Sequence, residues 1–355
     1  MKRIYYIPIE PLNERYTEQW YRWFPDMIKQ CGAECIIIDG IALTNTIKTG
    51  TFLDINSTLH YKATQLQTIS KLFYENKIKD GDIFFIADIE FWGIESIRYL
   101  ADLNNIKIKL FGFNHAGSYT AEDFMQKCEP YAKYYEEAWF NTYDKIFVGS
   151  EYHKNQMCKL RNAYEDNIIV TGNPYNINEE LIKVGPYIKK DQIILTNRPD
   201  YEKRPNISLD IFMILKEKYP QYKFIVTTSR KQWGNGWIRD KALQLQKNNI
   251  IEIKENLLKI NYLKLVAESK IMLSNSIEEN FGYCILESLI FNTIPVLTNN
   301  YSHIELVQND SRLLFDTIDE AIIKITNLIE NPIDISNYAN RYQDSLYRII
   351  SIMLN

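Results

Sequence analysis

The chain has 355 residues, 46% of them hydrophobic, which favours two folded domains with sizeable cores. A formal charge of −4 gives no overall basic field and argues against a tight, nonspecific nucleic-acid binder. Five scattered cysteines without a Cys-x-x-Cys pair argue against a disulfide framework or a cysteine metal site. Because no apolar run is long enough to span a bilayer and no signal-peptide pattern opens the chain, we expect a cytoplasmic protein.

The first half of the chain alternates strand and helix patterns. Apolar runs predict strands at 3–9, 35–38, 83–87, 106–113 and 145–148, and helical spacing predicts helices at 18–31, 64–74 and 121–140. Such alternation predicts a parallel, Rossmann-like sheet, in which the loops after the strands form the ligand site. The polar residues in those loops are therefore the candidates for function.

Two of these loops carry candidate ligand-binding residues. Arg15 follows the first strand, and Asp88, Glu90 and Trp92 follow the strand at 83–87. Carboxylates next to an aromatic ring suit hydrogen bonding to, and stacking on, a sugar or a base. The structural alternatives are a helix cap for Asp88 and a core position for Trp92.

Two histidines and an aromatic segment also belong to this half. His115 directly follows the buried strand at 106–113, and the small pair Ala116-Gly117 lets a ligand approach the backbone. We expect His153 to lie on a helix surface. The segment 15–23, with aromatic residues between two arginines, is either a helix packing face or a surface for nucleic acid.

A polar segment at 176–191 predicts a linker, after which a strand at 192–196 opens the second half. Arg198 and Lys203 lie in the loop that leaves this strand. A diphosphate needs cationic donors, and arginine can bind it through two parallel hydrogen bonds. The alternative is a solvated run of charges, since Asp200 and Glu202 are adjacent.

The stretch 274–307 predicts a strand, helix, strand unit. A short apolar run at 270–273 precedes it, helical spacing begins at Tyr283, and 294–297 reads as the next buried strand. The loop between the first strand and the helix lies at the carboxyl end of the strand, where open α/β sheets bind ligands.

Two carboxylates in this unit, Glu279 and Glu287, are separated by seven residues. Both can face one ligand only if that ligand runs along the start of the helix. The N–H groups of Phe281, Gly282 and Tyr283, with the positive end of the helix dipole, would bind an anionic middle portion. A nucleotide-diphosphate sugar has this layout, with a hydroxyl-rich group at each end.

These residues resemble the Glu-x7-Glu donor motif of the retaining GT-B glycosyltransferases, specifically those of the family 4 type. The positions that match the family pattern are Ser276, Glu279, Phe281, Gly282, Glu287, Ser288, Pro295 and Val296. Two departures are evident. Thr293 stands where the family has a glycine before Pro-Val, and the loop after the first strand lacks the family's glycines.

The resemblance implies two Rossmann-like α/β domains that face each other across a cleft. We expect an acceptor-side domain at 1–180, a donor domain at 181–335, and a final helix at 336–355 that crosses back to the first domain. It also implies transfer of a sugar from a nucleotide-diphosphate donor, most simply a UDP-sugar, with retention of configuration and without a cofactor or an obligatory metal.

The resemblance further implies a role for each candidate residue. His115 and Glu279 would contact the donor sugar. The donor would be bound by Arg198, Lys203, Phe281, Gly282, Tyr283 and Glu287, and the acceptor by Arg15, Asp88, Glu90 and Trp92. No residue is recognisable as a covalent nucleophile, so a front-face route fits better than a double displacement.

Three alternatives remain open from the sequence. The acceptor hydroxyl is unidentified, and a modified DNA base, as in phage-type DNA glycosyltransferases, is one alternative. A nucleotide-sugar epimerase can share the two-domain fold, but it needs an acid and base pair near the sugar. A noncatalytic sugar-nucleotide binding protein would retain the donor motif alone.

Overall fold

A computed structural model describes residues 1–12, 15–44, 54–121, 123–228 and 236–355. The chain divides into two compact units. Unit 1 comprises Met1–Tyr175 and Asp344–Asn355, and unit 2 comprises Asn176–Gln343. Each unit is built on a parallel sheet of six described strands, which confirms the predicted α/β class with two Rossmann-like units.

Unit 1 contains the first six strands, hydrogen-bonded in the order β2-β1-β3-β4-β5-β6. The strands are β1 (Arg3–Ile7), β2 (Glu34–Ile37), β3 (Ile83–Ile86), β4 (Lys109–Asn114), β5 (Lys145–Val148) and β6 (Ile168–Val170). The helices between them are α1 (Tyr16–Gln30), α2 (Ile55–Tyr74), α3 (Glu95–Leu103), α4 (Glu129–Thr142) and α5 (Glu151–Arg161). Strand β3 is buried along its whole length and β5 from Ile146 to Val148, as expected for parallel strands covered on both faces.

Helix α1 packs its aromatic face on this sheet. The ring centroids of Phe24 and Phe85 are 4.8 Å apart, and those of Trp20 and Phe113 are 5.0 Å apart. Trp20 and Trp23 are both buried. The segment 15–23 is therefore a helix packing face, and its two tryptophan rings are not available for stacking on nucleic acid.

Unit 2 contains six strands in the order β12-β11-β10-β7-β8-β9. The strands are β7 (Lys190–Leu195), β8 (Lys223–Thr228), β9 (Glu252–Glu255), β10 (Ser269–Ser274), β11 (Ile294–Thr298) and β12 (Leu314–Phe315). The helices are α6 (Ile177–Val184), α7 (Pro205–Lys218), α8 (Gly236–Lys247), α9 (Lys259–Glu268), α10 (Tyr283–Ile290), α11 (Tyr301–Leu306) and α12 (Ile318–Glu330). The strand order reverses between β7 and β10, which places the topological switch point there.

Helix α13 (Ser345–Leu354) returns the chain to unit 1. Its residues Ile349, Ile350 and Met353 are fully buried, and the Ser345 hydroxyl donates to the Asn173 carbonyl at 3.3 Å. The units therefore divide at 175/176 and at 343/344, whereas the sequence placed these limits at 180/181 and 335/336.

Two predictions from the sequence are wrong in detail. The expected linker at 176–191 contains α6, which begins where the Asn176 side chain accepts the N–H of Glu179 at 3.1 Å. His153, expected at the surface, is 1% exposed because its face of α5 turns inward, where its Nε2 lies 2.7 Å from the Tyr119 hydroxyl.

No helix within the described residues is both long enough and apolar enough to cross a membrane.

Candidate active site

The switch point of the second sheet brings Lys203 and Glu279 together. Lys203 ends a 3₁₀ turn after β7, and its Nζ lies 2.9 Å from Glu279 Oε2 in the loop after β10. The same Nζ donates to Ser276 Oγ at 3.0 Å and to the Glu278 carbonyl at 2.9 Å. An ammonium has three N–H donors, so these three acceptors fix the position of the lysine.

The Glu279 carboxyl group is ionised by this arrangement. Burial alone raises its pKa, but the charge and hydrogen bond of Lys203 outweigh burial, with smaller contributions from His303 and Arg198. The pKa of Glu279 therefore lies below its ordinary value. A partly buried, ionised carboxylate with a fixed cation beside it can accept hydrogen bonds from hydroxyl groups.

Arg198 is the more exposed cation of this edge. Its side chain is 38% exposed, and its guanidinium lies 3.2 Å from Asp200 and 3.6 Å from Glu202. Ion pairs at this level of exposure contribute little stability, so an incoming phosphate can replace the two carboxylates at small cost. Arg198 is thus the cation that a diphosphate reaches with the least rearrangement.

The start of α10 requires a glycine. Gly282 has φ +91°, a left-handed conformation, and a Cβ there would lie 2.9 Å from Ile285 Cδ1 and 3.2 Å from Glu279 Cγ. Its neighbours Phe281 and Tyr283 are on either side of this turn. The first turn of α10, which is fully described, contains no acidic residue, so no side chain there offsets the positive end of the helix dipole.

Glu287, predicted to bind ribose, has a partner that the sequence did not reveal. Its side chain is 2% exposed and pairs with the ammonium of Lys259 at the start of α9. Lys259 Nζ also lies 4.9 Å from the centroid of the Tyr262 ring. A ribose hydroxyl that reached Glu287 would therefore meet a carboxylate already oriented by Lys259.

In unit 1, the predicted acceptor residues Asp88 and Glu90 share a buried lysine. Lys62 Nζ lies 2.7 Å from Asp88 Oδ2 and also donates to the Glu90 carbonyl. Burial and then the neighbouring Asp88 raise the pKa of the Glu90 carboxyl well above its ordinary value. Glu90 Oε1 is buried without a hydrogen-bond partner among the described residues. Burial therefore favours the neutral form of Glu90, the form that can donate a hydrogen bond.

Trp92 and Arg15 are the other two predicted acceptor residues. The Trp92 ring centroid lies 4.6 Å from that of Tyr135 and 5.2 Å from that of Trp139, so the tryptophan packs into an aromatic group. Arg15 immediately precedes α1, and its carbonyl accepts the N–H of Glu18 at 3.2 Å. The core alternative therefore accounts for the contacts of Trp92.

His115 follows β4 and is held as a neutral ring. Its Nε2 lies 2.9 Å from the Ala87 carbonyl, which can only accept, so Nε2 carries the proton. Nδ1 is then an acceptor and faces the Tyr16 hydroxyl at 3.5 Å. Burial lowers the pKa of His115, although the nearby Asp88 partly opposes this. The long contact at Nδ1 is the one that a sugar hydroxyl could replace.

Three side chains that were not selected from the sequence support the loop after β10, residues 276–282. Thr298, Ser302 and His303 follow or end β11, and all three are buried. The polar run directly after the predicted strand at 294–297 is a signal that could have found them, because it lies at the same edge of the sheet.

Among the described residues, no group of three or more histidine, cysteine and carboxylate side chains is arranged to hold a metal ion.

The sequence of unit 2 matches a known family. Residues 176–345 match the family described as "Glycosyl transferases group 1", a range that contains the whole of unit 2. No curated protein sequence matches the chain.

Several solved structures share the fold of the whole chain. An α,α-trehalose 6-phosphate synthase from Burkholderia multivorans superposes with a TM-score of 0.63 at 10% identity, over 99% of this chain and 96% of the other. A glycosyltransferase from Rickettsia africae gives 0.63 at 16% identity, over 99% and 96%. S. aureus MnaA, solved with UDP, gives 0.58 at 16% identity, over 99% and 95%. Unit 2 therefore contains a domain of the glycosyl transferases group 1 family, and the chain as a whole shares its fold with these solved structures.

Proposed function

We propose that this enzyme transfers a sugar from a nucleotide-diphosphate sugar, most simply a UDP-sugar, to a hydroxyl acceptor with retention of configuration and without an obligatory metal. The observation that supports it is the β7/β10 switch point, where Lys203 is paired with Glu279 and Arg198 is half-exposed beside the start of α10. The UDP bound to the structurally similar S. aureus MnaA supports the choice of nucleotide.

In this proposal the diphosphate is bound by cations and backbone N–H groups. Arg198 exchanges Asp200 and Glu202 for the phosphates, and Lys203 adds a second positive charge. The N–H groups at Gly282 and Tyr283 lie at the positive end of α10. These groups stabilise the charge that grows on the departing diphosphate, which lowers the barrier to transfer.

Glu279 and Glu287 contact the two hydroxyl-rich ends of the donor. Glu279 accepts from sugar hydroxyls, and Glu287 accepts from the ribose next to Lys259. In unit 1, His115 as a neutral ring can accept a hydrogen bond from a hydroxyl group at Nδ1. Glu279 is a poor covalent nucleophile because Lys203 stabilises its charge, so the departing phosphate takes the acceptor proton on the same face of the sugar.

The acceptor is proposed to bind at the carboxyl edge of the first sheet. Asp88 pairs with Lys62 and accepts hydrogen bonds, whereas burial favours the neutral form of Glu90, which can donate one. Arg15 lies at the start of α1, after the first of these loops. A polyhydroxylated acceptor suits such a mixture of donors and acceptors.

Binding and product analysis test the proposal. At a hundredfold excess over the dissociation constant, UDP should stabilise the protein by about 2.7 kcal/mol. Incubation with labelled UDP-sugars and a panel of acceptors should then yield an α-linked product from an α-linked donor. An epimerised nucleotide sugar as the product would favour an epimerase instead. No stabilisation by millimolar UDP, GDP, ADP or their sugars would contradict the donor site.

A further inference from the structure

We propose that Ser302 is a positioning residue for the donor loop, 276–282, and that it acts through the backbone without touching the substrate. The inference rests on the proposed function of that loop. Ser302 lies in the first turn of α11 and is fully buried, so its hydroxyl serves only neighbouring protein groups.

The Ser302 hydroxyl joins α11 to two carbonyls of the donor loop. Its Oγ lies 2.9 Å from the carbonyl oxygen of Glu279 and 3.1 Å from that of Phe281. A hydroxyl has one proton, so the two carbonyls share one donor. Both peptide groups are thereby held against the same point on α11.

Holding a carbonyl also sets the direction of the next N–H group. A trans peptide is planar, and its C=O points opposite to the N–H of the following residue. The contact with the Phe281 carbonyl therefore directs the Gly282 N–H away from Ser302. That N–H is one of the groups proposed to bind the diphosphate, and the contact with the Glu279 carbonyl restrains the residue whose carboxylate is proposed to bind the sugar.

Other side chains complete the support on the same side of the loop. Thr298 Oγ1 donates to the Ser276 carbonyl at 2.8 Å. His303 Nδ1 lies 3.0 Å from Thr298 Oγ1 and 3.1 Å from the Thr298 carbonyl, so it donates and fixes the threonine. With the Glu278 carbonyl bound by Lys203, the carbonyls of 276, 278, 279 and 281 are all engaged. The loop is therefore preorganised, with Ser302 holding its last turn before α10.

The strained start of α11 fits this role. Tyr301 has φ +57°, a left-handed conformation that is unfavourable for a residue with a side chain. This turn places Ser302 against the loop, where its backbone N–H also approaches the Glu279 carbonyl at 3.5 Å. Strain of this kind persists where the surrounding contacts fix the backbone.

The test compares Ser302→Ala with a matched control, Ser269→Ala. Ser269 is also fully buried in unit 2 and donates to a backbone carbonyl, that of Leu265, at 2.8 Å. It begins β10, whereas the donor loop follows the other end of that strand. Each variant thus loses a serine hydroxyl that donates to a backbone carbonyl. Ser269 does so at the start of β10, and Ser302 does so from α11 to the loop that follows the end of β10.

For Ser302→Ala we expect kcat to fall about tenfold with a donor KM within about twofold of the wild type, since the Gly282 N–H matters most when charge develops on the leaving phosphate. Ser269→Ala should lose a similar amount of thermal stability and keep its kcat. Equal kcat values for the two variants would overturn the proposed role of Ser302 but not the proposed function of the enzyme. Absence of turnover and of nucleotide binding in the wild type would overturn the proposed function, and this inference with it.

Discussion

The carboxyl edges of the two sheets differ in charge although both sheets are parallel and of equal size. In unit 1, Glu10 follows β1, and Asp88 and Glu90 follow β3. Lys62 pairs with Asp88 and donates to the Glu90 carbonyl. Glu10 is buried and accepts the hydroxyls of Ser57 at 3.0 Å and Thr58 at 2.9 Å. This edge is built to present carboxyl groups.

In unit 2, the corresponding edge carries two cations, each paired with carboxylates, and the start of a helix. Arg198 is half-exposed, Lys203 pairs with a single carboxylate, and α10 begins at Tyr283. An anionic diphosphate therefore suits the second edge and a neutral hydroxyl compound the first. The architecture is shared, and the side chains that follow the strands decide the ligand.

The largest expected effect separates binding from chemistry at the second edge. Glu279→Gln should lower kcat about a hundredfold, a loss of about 3 kcal/mol in transition-state stabilisation. The same change should tighten UDP binding, because Lys203 loses the carboxylate that competes with phosphate. Isothermal titration and steady-state kinetics measure the two quantities.

The control for this experiment is Glu90→Gln in unit 1, which should leave the dissociation constant of UDP unchanged. If Glu279→Gln weakens UDP binding by the same factor as it lowers kcat, then Glu279 does not compete with the diphosphate for Lys203.

Both units contain a buried, neutral imidazole, which predicts a loss of stability in mild acid. Burial lowers the pKa of His303 to about 4 and that of His153 to about 3. An unfolded histidine titrates near 6.5, so below that pH the unfolded chain binds protons that the native protein does not. Stability should be full above about pH 6.5 and decline as the pH falls toward 4, by about 2 kcal/mol at pH 5 from His303 alone.

Chemical unfolding at pH 7 and pH 5 measures this difference. His303→Asn should show a smaller decline between the two pH values than the wild type. His60→Asn, a change in a half-exposed histidine of α2, is the control and should decline as the wild type does. Identical declines for all three proteins would rule out His303 as a source.

A smaller effect is expected from removing the exposed cation. Arg198→Ala should weaken UDP binding about tenfold and make the remaining binding less sensitive to salt, because a charge-assisted contact to phosphate is lost. Lys62→Met removes a cation from the first edge and should lower stability while leaving the affinity for UDP unchanged. If Arg198→Ala and Lys62→Met lowered the UDP affinity equally, the proposal that only the edge of unit 2 binds the diphosphate would be wrong.

The smallest expected effect is that of chelation. If Arg198 and Lys203 supply the charge that the diphosphate needs, EDTA should leave turnover within error of the untreated enzyme. Loss of activity on chelation, with recovery on addition of Mn²⁺ or Mg²⁺, would show that these two cations are not sufficient.

The alternation of strands and helices was predictable because parallel strands covered on both faces must be apolar. The positions of Gly282 and of the Arg198 to Lys203 loop followed from where those strands end. The direction in which a side chain points was harder to predict from the sequence. His153 lies on the buried face of α5, and which face is buried depends on where the sheet packs.

The partners of the site residues could not be predicted from local patterns. Lys259 and Glu287 are 28 positions apart, and Ser302 and Glu279 are 23 apart. Each pair meets only after two strands of unit 2 have been placed side by side. The local sequence therefore predicted the position of the loop at 276–282. The contacts that fix its carbonyls could be identified only from the tertiary structure.

The hydrogen bond between Ser345 and Asn173 has a consequence for the modularity of the enzyme. It shows that the chain leaves and re-enters unit 1 at neighbouring points, and the contact of the Lys2 ammonium with the Leu354 carbonyl places the two ends of the chain together as well. Unit 2 is thus an insertion within unit 1. Insertions whose ends lie close together are readily exchanged. Evolution can therefore replace the unit proposed to bind the nucleotide while the unit proposed to bind the acceptor keeps its own core.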